Sequence, residues 1–419
     1  MGEDLIPRYW YNIAPDLPRP VPPPIDPLDS ESSLVDRLKE ILPHHLIDQE
    51  FSFERYIEIP ADVRNIYREI GRPTPLLRAR GLEKLLNTRA KIYYKYEGSL
   101  PSGSHKLNTA VAQAYYTYKE GYGVVVTETG AGQWGLAVSI ASNMLGLKSQ
   151  IFMTRSSYLS KSKRVKLMME NGAEVYPSPS DLTETGRGFL KQDPNHPGSL
   201  GIAISEAVET VLKDPWSKRY IPGSVMEYVL IHQSVIGLEA MEQMRREGEE
   251  PSVIIGCVGG GSNLAGISYP FYGEAIRRGE KPPRIVGAES SLVPKMTKGA
   301  YMYEHPDTGG ALPMIKMLTL GRNFIPPSIR AAGLRYHGVA PSLSILIMEG
   351  FVEPRAYTPD QAREAGLLFY RSEGILPAPE SAHAIAAAIE EAKKAGDREI
   401  TILVNLSGHG LYDQDFYGV

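Results

Sequence analysis

Through most of its length this chain alternates short apolar runs with stretches of helical spacing, and several of the runs end in glycine-rich turns. This alternation constrains the fold more than any other feature, because strands joined by helical crossovers line up in parallel sheets. In the first half, residues 91–96, 124–127, 150–154 and 174–176 read as strands, with helices over 108–120, 137–145 and 161–171. The second half repeats the pattern: an apolar run at 253–258, a glycine turn, a helix to Arg278 and a strand over 284–289. An alanine-rich helix over 379–395 and a buried strand over 399–405 follow. The expected fold is α/β, with two lobes that each hold a largely parallel sheet flanked by helices. At 419 residues the chain is long enough for two such lobes. The expected division is a proline-rich arm and helix over 1–70, a first lobe over 71–240 and a second over 241–419.

The arm carries Pro15, Pro18, Pro20, Pro22, Pro23, Pro24 and Pro27, which remove backbone donors and favour extended structure. It reads either as a strap laid over the body or as a proline-rich ligand for a partner. Residues 33–42 then have helical spacing. A formal net charge of -4 gives no basic footprint for nucleic acid. Apolar runs are strand-sized, so no membrane span is expected, and the first residues lack the pattern of a secretory signal. The lone cysteine, Cys257, lies in an apolar run and reads as a small core residue. With no intrachain disulfide possible, a reducing, cytoplasmic setting is expected.

In folds of this type, ligands bind beyond the carboxyl ends of the strands, where the glycine turns sit. Gly130, Ala131, Gly132, Gln133, Trp134 and Gly135 formally match a dinucleotide fingerprint. That reading wants an acidic residue at the end of the next strand, and Thr154 and Arg155 stand there instead. A turn whose amides hold a carboxylate or phosphate is the other explanation. Gly259, Gly260, Gly261, Ser262 and Asn263 form a second such turn, opening a helix. It lacks the lysine of a nucleoside-triphosphate loop, so a monophosphate fits it better. Lys106 follows Ser102, Gly103, Ser104 and His105 at the mouth of a helix. Burial there lowers a lysine's basicity and favours a Schiff base with an aldehyde cofactor. His105 is placed to donate to that cofactor's phosphate. No side-chain pattern points to a metal site.

These segments, with Glu373 to Ala378 and residues 404–408, resemble the tryptophan synthase beta chain, in that family's order and over most of the chain from about Gly71 onward. The proline-rich arm and some insertions resemble its divergent second type, a branch of the fold-type II pyridoxal phosphate enzymes. The resemblance implies that Lys106 holds pyridoxal 5'-phosphate and moves the substrate's α-proton. It places the phosphate on residues 259–263 with His105, and the amino-acid carboxylate on Thr129, Gly130, Ala131, Gly132 and Gln133. Asn108 and Gln133 are implied near the cofactor. Ser407 would face the pyridine nitrogen, where a serine, unlike an aspartate, does not hold that nitrogen protonated. Glu128 would assist the leaving group and then orient indole through its N–H. Glu373 would lie near the cofactor ring. A homodimer, a K+ or Na+ ion at the carbonyls of Gly259, Tyr336 and Gly338, and an alpha chain partner also follow by resemblance only.

Two positions depart from the family pattern. Trp134 stands where the common beta chain has a histidine, and Arg335 where it usually has an aspartate. A guanidinium in place of an anion inverts the local charge preference and suits a phosphate. The donor is accordingly expected to be L-serine or O-phospho-L-serine, condensed with indole to L-tryptophan. The alternatives are a serine or threonine dehydratase, a dinucleotide-binding oxidoreductase and a non-catalytic binding protein. Glu128 argues against a plain dehydratase, because deamination does not need it.

Overall fold

A computed structural model describes residues 5–26, 34–327 and 329–418. The larger sheet has six strands, in the order Val352–Tyr357, Arg284–Ser290, Val253–Cys257, Thr401–Leu406, Lys91–Tyr96 and Leu76–Arg78. All its pairings are parallel except the last. The smaller sheet has four parallel strands, in the order Ala173–Ser178, Lys148–Thr154, Val124–Thr129 and Lys218–Tyr220. Both central strands of the larger sheet are buried along their whole length, as sheets covered by helices on both faces require.

The sheets do not divide where the lobes were expected to divide. Lys91–Tyr96 pairs with Thr401–Leu406, so residues before the lysine loop belong to the sheet of the second half. The smaller sheet is built only from residues between Val124 and Tyr220. Parallel neighbours need long crossovers, and this chain makes one of about three hundred residues, which local spacing does not encode.

The expected helix over 161–171 is present as Ser162–Glu170, and a short helix, Arg155–Ser160, precedes it. Helices Leu200–Leu212, Glu227–Arg246, Pro341–Met348 and Pro359–Glu373 were not singled out from sequence. The arm lies as a strap on the body. Arg19 pairs with Glu349 at 2.7 Å, Pro23 accepts from the Tyr303 hydroxyl, and Ile25 and Met314 exchange backbone hydrogen bonds. Helix Leu34–Ile41 follows it, whereas Pro27 and Ser33 lie outside the described residues. No described helix is long and apolar enough to cross a membrane.

Candidate active site

A cleft enclosing about 1190 Å³, its open mouth included, lies at the carboxyl ends of the strands. Lys106, Glu128, the 259–263 turn and Ser407 all line it. Lys106 is the first residue of helix Lys106–Lys119. The preceding loop is held against the segment after Thr401–Leu406: the His105 N–H donates to the Ser407 carbonyl at 2.9 Å, and the His409 N–H to the Gly103 carbonyl at 3.0 Å. Gly103 has φ +73°, and a Cβ there would stand 2.3 Å from the His409 ring. Only glycine allows this approach. Residues three hundred positions apart in sequence therefore share one wall.

Lys106 has no hydrogen-bond or ion-pair partner among the described residues. Burial lowers its pKa, opposed by the charge of Glu380. Its position in the first turn of a helix adds to the preference for a neutral amine. His105 is held neutral by burial and by Lys106 beside it, which push it down to about 3. Its Nδ1 faces the Ser407 carbonyl at 3.3 Å and its buried Nε2 has no partner.

The 259–263 turn joins Val253–Cys257 to helix Ser262–Arg278, with Gly261 at φ +118° as N-cap. The N–H groups of Gly260, Gly261, Ser262 and Asn263 donate to no other described residue. A Cβ on Gly259 would sit 2.3 Å from the Gly333 carbonyl, and one on Gly260 would sit 1.9 Å from Ser224 Oγ. Ser224 Oγ is itself buried without a partner. Free amides at a helix start, an orphaned hydroxyl and an unpaired lysine in one cleft fit an aldehyde bearing a phosphate monoester, that is, pyridoxal phosphate. Asn263 points the other way, donating to the Cys257 carbonyl at 3.0 Å and accepting from Asn405 at 2.6 Å, so its side chain braces the turn. Among the described residues no three His, Cys, Asp or Glu side chains gather as a metal site.

Glu128 lies near the end of Val124–Thr129, beside Lys218–Tyr220. It accepts from the Tyr220 hydroxyl at 2.6 Å and from the Gly223 N–H at 3.4 Å, and burial pushes its pKa up to about 7. Thr129, Gly130, Ala131 and Gln133 line the same wall. Gly132, at φ +86°, opens helix Gln133–Met144 behind them. Trp134 packs on Gly223, where a Cβ would meet its ring at 2.8 Å, and donates to Thr127 Oγ1 at 2.7 Å. The Ser407 hydroxyl contacts Ser381 Oγ at 2.7 Å.

Three expectations change. Glu373 does not line the cleft: it accepts from the Leu82 N–H at 2.7 Å, as a cap for helix Arg80–Leu86, because it ends a helix on another face. Asn108 is fully buried away from the cleft, spending its amide on Glu97, Gln233 and Arg72. Arg335 lines an adjoining cavity of about 450 Å³, which shares Gly130, Leu200, Ala332 and Tyr336 with the main cleft. Its guanidinium has no partner among the described residues, and its Nε is buried.

Sequence reasoning missed the carboxylate that does line the cleft. Glu380, in the first turn of Pro379–Ala395, accepts from the Gly333 N–H at 2.7 Å and from Gln133 at 3.2 Å. The signal was its place in a first helical turn two residues past the motif ending at Ala378. Cys257 lines the cleft as well as the core, and burial pushes its thiol up to about 11. Leu42, Leu200, Ile204, Val225, Leu312 and Tyr336 make an apolar lining that no motif announced.

Residues 67–408 match the family described as pyridoxal-phosphate dependent enzymes. The chain is 55% identical over 419 residues to tryptophan synthase beta chain 1 of Sulfurisphaera tokodaii, covering 100% of this chain and 98% of that one. It is 56% identical over 415 residues to tryptophan synthase beta chain 2 of Pyrococcus abyssi, covering 98% and 93%. To the tryptophan synthase beta chain of Pyrobaculum aerophilum it is 58% identical over 409 residues, covering 97% and 98%. Among solved structures, a threonine deaminase from T.th. is similar in fold alone, with a TM-score of 0.60 at 21% identity over 83% of this chain and 97% of that one. The chain belongs to the tryptophan synthase beta chain family of pyridoxal-phosphate dependent enzymes.

Proposed function

We propose that the chain condenses indole with a serine-type donor to form L-tryptophan. The observation that carries this reading is one cleft holding an unpaired buried lysine, a run of free amides at a helix start and a carboxyl group poised near neutrality. When bound, pyridoxal phosphate supplies an electron sink for cleavage at the donor's α- and β-carbons. Lys106 attaches the cofactor, takes the α-proton and returns it. Residues 259–263 hold the phosphate through their N–H groups, with His105 beside them. Residues 129–133 bind the amino-acid carboxylate. Ser407, fixed by Ser381, faces the ring nitrogen. Glu128, at about 7, donates a proton when neutral and accepts the indole N–H when ionised. Glu380 takes the place first expected for Glu373. The apolar lining receives indole and excludes water.

For the donor, the reading favours O-phospho-L-serine over L-serine. Arg335 borders the cleft with no carboxylate partner among the described residues. Burial lowers its pKa, but from a value so high that the guanidinium keeps its charge. A K+ or Na+ ion at the carbonyls of Gly259, Tyr336 and Gly338 belongs to the same reading, since none of the three accepts a hydrogen bond from a described residue. So do a cytoplasmic setting and a homodimer. An alpha chain partner finds no specific support in the chain.

The test is tryptophan formation by holoenzyme from indole with each donor, after borohydride and mass spectrometry have located the cofactor mass. The mass should lie on Lys106, and O-phospho-L-serine should be the better donor. Arg335→Ala should lose that preference by about tenfold or more. A colourless protein that responds to a nicotinamide cofactor instead would overturn the reading. A serine preference untouched by Arg335→Ala would overturn its donor.

A further inference from the structure

Two consecutive carbonyls of the 129–133 turn accept hydrogen bonds from side chains. The Thr154 hydroxyl donates to the Gly130 carbonyl at 2.9 Å, and Arg164 Nη1 donates to the Ala131 carbonyl at 3.0 Å. A trans peptide sets its N–H opposite its C=O. The N–H groups of Ala131 and Gly132 therefore point away from Thr154 and Arg164, and Gly130, Ala131 and Gln133 line the cleft. Neither N–H donates to another described residue.

Arg164 is itself anchored. It lies on helix Ser162–Glu170, buried, and reaches Asp413 through Nη1 at 3.1 Å and Nη2 at 2.5 Å. Lys161 reaches the same carboxylate at 2.5 Å. Burial alone would raise the pKa of Asp413, but Arg164 and Lys161 outweigh it and hold the group ionised. The fork leaves Arg164 little freedom, and Gly132 packs on it so closely that a Cβ would stand 3.2 Å from its Cδ. Three segments meet here: the turn, helix Ser162–Glu170 and the last ten residues of the chain.

We propose that Arg164, locked by Asp413, is a positioning residue that aims the amides of the 129–133 turn at the donor's carboxylate, with Thr154 doing the same one peptide earlier. Arg164 touches neither substrate nor cofactor and acts through the peptide plane it holds. This inference rests on the reading that the turn binds the carboxylate.

The experiment measures KM for the donor preferred above, KM for indole and the cofactor dissociation constant in holoenzyme variants. Arg164→Lys keeps the charge opposite Asp413 but loses the planar fork. Asp413→Asn keeps the shape but loses the charge, and Thr154→Val removes one hydroxyl. Arg164→Lys and Asp413→Asn should raise the donor KM about tenfold to a hundredfold, while indole KM and cofactor affinity move by no more than about twofold. Thr154→Val should move the donor KM in the same direction by a smaller factor. A merely structural role would shift all three constants together, and that result overturns the proposal. So does an unchanged donor KM in Asp413→Asn and Thr154→Val, even if Arg164→Lys does not fold. Wild type is also assayed with the donor's carboxamide. If wild type accepts amide and acid equally, the carboxylate reading of the turn fails; if it rejects the amide while the variants keep their donor KM, only the role of Arg164 fails.

Discussion

A buried acid at the end of a strand is the residue on which pH dependence turns. Glu128 has a pKa of about 7 against an ordinary 4.5, because burial penalises its charged form more than Tyr220 and Gly223 support it. Between those values the folded chain keeps a proton that the unfolded chain has released, so the stability linked to this group is lost as pH rises. Glu128→Gln has no proton to lose. Its apoprotein should gain stability relative to wild type between about pH 5 and about pH 8, by on the order of 3 kcal/mol. Thermal melts of both proteins across that range check it; a pH-independent difference would show that burial does not govern Glu128. Its role was legible in the sequence through the family resemblance of the segment that opens on it. Glu373 and Glu380 were harder to separate, seven positions apart, one opening a motif and the other two residues past its end. The choice between them depends on which end of which helix faces the cleft, and that is set by packing of Pro359–Glu373 against Pro379–Ala395. Asn108 shows the same limit. Two residues after the lysine it lies round the helix from Lys106, so proximity in sequence is not proximity to the cleft.

At the scale of elements, strand, glycine turn and helix were readable as units, because period and punctuation are local properties. What a glycine is for was less readable. Gly188 lies in helix Glu184–Gln192 with nothing within 4 Å of a would-be Cβ. Gly259 would place its Cβ against the Gly333 backbone, whose N–H holds Glu380. Gly259→Ala must therefore push the turn carrying Gly333 away, or distort its own amides, at a cost typical of overpacking. It should weaken pyridoxal phosphate binding by about tenfold or more. Gly188→Ala should leave binding unchanged and stabilise its helix by up to about 1 kcal/mol. Spectrophotometric titration of both apoproteins decides it, and equal affinities would mean that the turn does not set the phosphate site.

On the scale of the whole molecule, the long crossover that joins Lys91–Tyr96 to the sheet of the second half is secured by charges that look like surface charges in sequence. Arg72 is fully enclosed. It donates to Glu97 at 2.9 Å, to Glu239 at 2.9 Å and to Asn108 at 2.7 Å, while Lys95 donates to Glu239 at 2.8 Å. The cluster joins the loop before Leu76–Arg78, the end of Lys91–Tyr96, the lysine helix and helix Glu227–Arg246. Burial alone would raise the pKa of Glu97, yet Arg72 and Lys95 hold it down at about 2. No local pattern reveals such a network, since each member's partners come from distant segments. Arg72→Met keeps the apolar stem but leaves two buried carboxylates to share Lys95. Breaking a buried pair from one side costs about 3–5 kcal/mol, most of it the uncompensated charge left behind. Arg89, paired with Glu399, offers the contrast, as both side chains are more than 60% exposed. Arg89→Ala should barely move the denaturation midpoint, because an exposed pair gains little in water. Arg72→Met should lower it sharply, with loss of the far-ultraviolet and aromatic signals together. If the aromatic signal alone were lost early, the cluster would be bracing one lobe and not the union of the two halves.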